Sequence, residues 1–219
     1  MTTDQLAWHV AGSTAHLQRP EIEAALPLSE PQSGLQLLRA FDRQIDCQCF
    51  ALPLYEEGKA ILLDSFPRMN EVVAHYAETP QARLKTECLL RLRSISDDCV
   101  CLDHLVSVQT STLDASPQIE TTFRLPKGQW SSETFESGPL QLQSECGLTF
   151  ALMTPQLDVA SSSVESSSAG ARARLMRFGK FLEKGVIRRG QLRLVVCPTD
   201  VASQVIADAH EDFLSTSPL

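Results

Sequence analysis

From residue 34 onward, apolar and polar residues exchange places at every second position over most of the chain, the pattern of strands with one face buried. Ile45, Cys47 and Cys49 alternate with Asp46 and Gln48, and Cys88, Leu90 and Leu92 face away from Glu87, Arg91 and Arg93. The same texture runs from Cys99 to Thr110, through Ile119, Thr121, Phe123 and Leu125, and through Leu140, Leu142, Leu148, Phe150 and Leu152. Turn chemistry falls between these runs, at Glu56-Glu57-Gly58-Lys59, Asp97-Asp98, Pro126-Lys127-Gly128 and Gly138-Pro139. Met69, Val72, Val73 and Tyr76 fit helical spacing and strand composition equally, so that piece stays open between the two. Successive short strands at this spacing predict a mainly β fold, an antiparallel β-sandwich.

Three segments depart from the alternation. Pro20, Pro27 and Pro31 interrupt the first 34 residues, which predicts an irregular N-terminal arm over 1–34 ahead of an antiparallel β domain over 35–160. Residues 161–170, mostly serine, predict a loop, because they offer little apolar area to bury. Beyond them Ala171, Leu175, Phe178 and Leu182 recur at helical spacing while Arg174, Arg177, Lys180 and Lys184 fall on the other side. That reads as one basic amphipathic helix, ending at Gly185. A strand at 191–197 and a final helix from a Thr199 N-cap to about Leu214, with Val201, Val205, Ala209 and Phe213 inward, complete a helix-strand-helix unit over 171–219 packed on the β domain.

Composition leaves this picture standing. The 219 residues are 43% hydrophobic and 21% charged, which is ordinary globular usage rather than that of a disordered or membrane-embedded chain. No basic start followed by an apolar stretch marks a secretory signal, and seven cysteines form no repeated framework, so the expected setting is cytoplasmic with reduced thiols. Charge changes more. Net charge is −8, yet between Arg172 and Arg193 eight cations face the single acid Glu183. An acidic body with one basic segment argues against general nucleic-acid binding. A basic helix with few large apolar residues and no tryptophan makes no strong case for a membrane either.

Candidate chemistry is sparse. Cys47/Cys49 and Cys99/Cys101 would place each pair of sulfurs on one strand face, and four thiolates would meet around zinc only if the two strands were neighbours. Structural zinc sites more often use Cys-x-x-Cys turns, so the expectation is buried thiols, no metal and no cofactor. Cys99 or Cys101 with His104 or His75 would make a nucleophile only if the fold brought thiol and base together. Asp97-Asp98, Glu56-Glu57 and Asp114 read as turn carboxylates rather than an acid–base pair. The chain has no glycine-rich phosphate loop, no Gly-x-Ser-x-Gly elbow and no His-Glu-x-x-His helix. The sequence therefore predicts a non-catalytic interaction or assembly module that docks an acidic protein partner through Arg174, Arg177, Lys180 and Lys184. Two readings stand beside it: a carbohydrate-binding sandwich centred on Trp130, whose indole face would stack on a sugar ring, and an enzyme with a scattered active site.

Overall fold

The computed structural model describes residues 7–54, 60–78, 83–131, 138–155 and 159–216, side chains 95 and 114 apart. In chain order the elements are β1 (Trp8–Ala11), β2 (Thr14–Arg19), β3 (Ile22–Pro27), a 3-10 turn (Pro31–Ser33), β4 (Leu35–Ala40), β5 (Arg43–Ala51), β6 (Leu62–Arg68), β7 (Glu71–Tyr76), β8 (Lys85–Ser96) and β9 (Cys99–Gln109). There follow β10 (Asp114–Ala115), β11 (Gln118–Leu125), β12 (Gly128–Trp130), β13 (Leu140–Ser144), β14 (Leu148–Met153), β15 (Val159–Ser167), β16 (Gly170–Phe178), β17 (Leu182–Glu183), β18 (Ile187–Pro198) and α1 (Ala202–Ser215).

These strands form the antiparallel sandwich that the alternation predicts. Sheet A runs β1-β2-β3-β4-β5-β11-β16-β15, sheet B runs β12-β13-β14-β18-β9-β8-β7-β6, and β10 and β17 make a two-residue ladder of their own. Leu17, Leu37, Cys49, Phe123 and Leu175 from sheet A meet Val72, Leu90, Leu102, Phe150 and Leu194 from sheet B in one dry core. The two sheets are also tied at both edges. Ala7 N–H donates to the Met69 carbonyl at 3.0 Å beside β1 and β6. At the opposite edge the Trp130 indole N–H donates to the Glu165 carbonyl at 3.3 Å, and the Ser166 hydroxyl to the Gly128 carbonyl at 3.2 Å.

The two-sheet fold and the strand-helix end of the chain match the sequence reading, whereas four local expectations need correcting. The arm over 1–34 is a meander of β1, β2 and β3. Its prolines punctuate strands rather than prevent them: Pro20 sits in the turn after β2, Pro27 ends β3 and Pro31 opens the 3-10 turn, where a missing N–H costs nothing. The serine-rich segment 161–170 lies largely in β15, an exposed edge strand held by its ladder to β16 and needing little burial.

The largest correction concerns residues 171–184, which form no helix. Gly170–Phe178 is strand β16, paired on both sides, with Ala171, Ala173, Leu175 and Arg177 facing inward. Two periods fit the same letters here. Ala171 and Leu175 belong to either pattern, and the inward Arg177 disguises the alternation by placing a cation where an apolar residue is expected. The registers with β11 and β15 decide the matter, a case of tertiary pairing overriding local preference.

Met69, Val72, Val73 and Tyr76 resolve to the β6–β7 turn and β7, and Asp97-Asp98 is the turn between β8 and β9. The turn expected at Glu56–Lys59 lies outside the described residues. Helix α1 starts later than its sequence signal: Val201 occupies the N-cap with no side-chain bond, and the Thr199 hydroxyl instead accepts from Thr149 at 3.1 Å. Ala202, Ile206 and Phe213 bury its inner face against Cys101, Ala151, Met153, Val195 and Cys197, on the side of sheet B away from the main core. Among the described residues, no helix is long and apolar enough to cross a membrane.

Candidate functional site

The outward-facing side chains of sheet B line up in rows across its strands, because the registers of β7, β8, β9 and β18 place every second residue opposite its counterpart. The first row is Glu71–Arg91–Asp103–Arg193, the second Val73–Leu89–Leu105–Gln191, and the third His75–Glu87–Ser107–Arg189.

The first row binds structure to structure. Arg193, almost wholly buried, forks onto Asp103 with contacts of 2.6 and 3.0 Å and donates through its remaining nitrogen to Asp212 of α1 at 2.7 Å. Its guanidinium also lies 5.2 Å from the Phe213 ring centroid, and Arg93 reaches Asp212 at 3.1 Å. Burial works against the Arg193 charge, yet the Asp103 carboxylate holds its pKa above the ordinary arginine value. Hydrogen bonds from Arg93, together with Arg193, draw the Asp212 pKa below the ordinary aspartate value against a smaller desolvation effect. Glu71 is desolvated, which opposes ionisation, but Arg68 and Arg91 outweigh this and lower its pKa. Every carboxylate in this row is matched by a cation, so the row anchors α1 and leaves no group free for chemistry.

The third row lies beyond the reach of α1 and borders a cleft of about 240 Å³ lined by Leu63, His75, Lys85, Glu87, Ser107, Gln109 and Arg189 among others. Its members are linked hand to hand. His75 Nε2 and Glu87 Oε2 are 3.0 Å apart, the Ser107 hydroxyl donates to Glu87 Oε1 at 3.5 Å, and Arg189 Nε donates to the Ser107 hydroxyl at 3.1 Å. Phe66 stands edge-on to the His75 ring at 6.0 Å. A carboxylate shared between an imidazole and a hydroxyl, with cations at the rim, can bind a polar ligand through donors and acceptors together, and an imidazole–carboxylate pair can pass a proton.

Inside the sandwich lies a different polar position. Phe50, at φ +56° in a bulge where β5 meets β11, sets its ring 4.9 Å from His104 and 5.2 Å from Phe123. Gly34 permits this bend: it adopts φ +55°, and a Cβ there would stand 2.8 Å from the Ala51 Cα. Burial, then the Arg177 charge, drives the His104 pKa well below that of a free imidazole, so the ring is neutral.

The residues singled out by the sequence are scattered by this fold. Arg174 is exposed on the outer face of sheet A, Arg177 is buried inside the sandwich, and Lys180 and Lys184 are exposed beyond β16 near the short β17 ladder; the four share no face. Trp130 is half-buried, packs against the core and spends its indole N–H on the edge tie described above. Cys47 and Cys49 point into the main core from sheet A, whereas Cys101 lies beneath α1 across sheet B, which separates the two cysteine pairs. Burial pushes the Cys49 and Cys101 thiols up to about 12 and raises those of Cys47 and Cys99. Cys99 and Cys101 face away from His104 on the same strand, so that thiol–base pair does not form.

Sequence reasoning missed the third row because each member is a single polar residue on its own strand. Only register assembles them. For Glu87 and Ser107 that register was within reach, since folding β8 onto β9 about Asp97-Asp98 sets the two near each other; His75 and Arg189 arrive from strands whose neighbours no turn dictates.

No protein-family model matches the chain, and no curated protein matches it in sequence. Solved structures resemble it in fold. Heparan sulfate lyase HepC of Pedobacter heparinus superposes with a TM-score of 0.53 at 9% identity, over 89% of this chain and 37% of that one. A proposed kojibiose phosphorylase from the human microbiome gives 0.50 at 10% identity, over 98% of this chain and 34% of that one. The chain thus spans little more than a third of either protein, and at these identities the likeness shows the fold alone.

Proposed function

We propose that this chain is a carbohydrate-binding β-sandwich whose ligand seat is the cleft beside His75, Glu87, Ser107 and Arg189. The observation that carries this reading is the linked polar row at the wall of a small open cleft. A sugar ring presents hydroxyls that both donate and accept; the row offers Arg189 as donor, Glu87 as acceptor and Ser107 as both, and the neighbouring Lys85 and Gln109 add a donor and an amide that does both. Leu63 and Ile187, both exposed, supply apolar margins for the ring's C–H faces. At about 240 Å³ the cleft lies below the roughly 300–1,000 Å³ of drug-sized sites, which suits one sugar unit. The two resembling structures carry names of enzymes that act on carbohydrates, a supporting circumstance of lower weight than the cleft itself. This seat differs from the Trp130 platform expected from sequence.

The test is a panel of neutral and acidic mono- and disaccharides read by saturation-transfer NMR. Binding by the wild type that falls at least tenfold in Glu87→Gln and Arg189→Ala, while a folded Trp130→Ala, which removes the aromatic face, binds normally, supports the cleft. A panel without a single hit, or hits lost only in the Trp130 variant, overturns it. The expected tenfold corresponds to losing one charged hydrogen bond of about 1.5–3 kcal/mol.

A further inference from the structure

One end of the molecule carries apolar side chains on protruding turns. Leu113 is 74% exposed, Phe181 56% and Val186 46%, and beside them Ile187, the first residue of β18, is 61% exposed. The pairings gather them: Ala115 faces Leu182 and Asp114 faces Glu183 in the β10–β17 ladder, Gly185 N–H donates to the Thr110 carbonyl at 3.0 Å, and Ile187 pairs with Gln109. Val186 sits at the tip of a turn closed by its own N–H on the Glu183 carbonyl at 3.1 Å, with Gly185 at φ +81°.

Cations surround these tips. Lys180, Lys184, Arg83 and Lys85 are exposed here, with Arg188 and Arg189 behind them, against Glu78, Asp114 and Glu183. This is a positive end on a chain whose net charge is −8. We infer that this end is a membrane-contact surface, in which Leu113, Phe181 and Val186 enter the interface of an anionic bilayer while Lys180 and Lys184 meet its headgroups. Separate apolar side chains on convex turns suit insertion between lipids better than a flat contact with a protein, and a field that is positive at one end orients the acidic body away from the bilayer. The surface does not depend on the helix expected from sequence; Ile187, Lys85 and Arg189 border both it and the sugar cleft, whereas Leu113, Phe181, Val186, Lys180 and Lys184 do not line the cleft, so the two readings are tested by different residues.

Co-sedimentation of the full chain with vesicles of phosphatidylcholine, with and without phosphatidylserine, tests the inference. Binding is expected only with phosphatidylserine and should weaken as salt is added. Lys180→Gln/Lys184→Gln should weaken it by roughly five-fold per lysine, and Phe181→Ser/Val186→Ser should weaken it at unchanged melting temperature. Absence of binding at low salt, binding insensitive to these substitutions, or capture by immobilised polyglutamate with none by vesicles would each overturn it.

Discussion

Among individual residues, His104 makes the sharpest prediction. Its folded pKa is depressed, so the unfolded chain binds the proton more tightly, and stability must fall as pH drops below the ordinary imidazole value of about 6.5, by up to roughly 1.4 kcal/mol per pH unit. His104→Gln should flatten the urea midpoint between pH 7 and pH 5; an unchanged slope would show that the acid sensitivity originates elsewhere. The thiols make a second prediction. Cys49, Cys101 and Cys197 are buried and pushed up to about 12, chiefly by that burial, so a thiol reagent at neutral pH should leave them unlabelled until the chain unfolds. Labelling of Cys49 at the rate of a free thiol would contradict the buried geometry.

Among elements, α1 depends on Arg193 as much as on its own apolar face. Arg193→Met leaves Asp103 buried without its partner and should cost about 3–5 kcal/mol, while Arg193→Met/Asp103→Leu should recover most of it, as chemical denaturation can measure. Asp212 acts in the other direction along the pH axis from a raised-pKa group: its depressed folded pKa stabilises the helix fully above about pH 4 and loses that contribution as pH falls through the folded value. Amide exchange in α1 should therefore accelerate in acid before that of β9. The elements also show how much the letters could say. Alternation was legible wherever one face of a strand is greasy and the other wetter, as in β8, β11 and β13. It was silent in β15, whose serines are exposed on both faces, and misleading in β16, where the inward Arg177 breaks the code. The candidate site was less legible still, because the spatial meaning of His75 and Arg189 resides in which strands become neighbours, and that is a property of the whole chain.

For the whole molecule, the two proposed surfaces lie together: Ile187 lines the cleft and also belongs to the apolar end, so a chain resting on a bilayer would hold its sugar seat close to the headgroup plane. The order of the strands bears on how the molecule is made. In sheet B the last strand in the sequence, β18, lies between β14 and β9, two strands that are adjacent to nothing else on that side until it arrives. A chain growing from its N-terminus would complete sheet A's eight strands at β16 while sheet B was still in two pieces, each with an open flank. Assembly of the second layer must wait for residues 187–198 to leave the ribosome, and the interval before that is when the nascent protein is most in need of a chaperone.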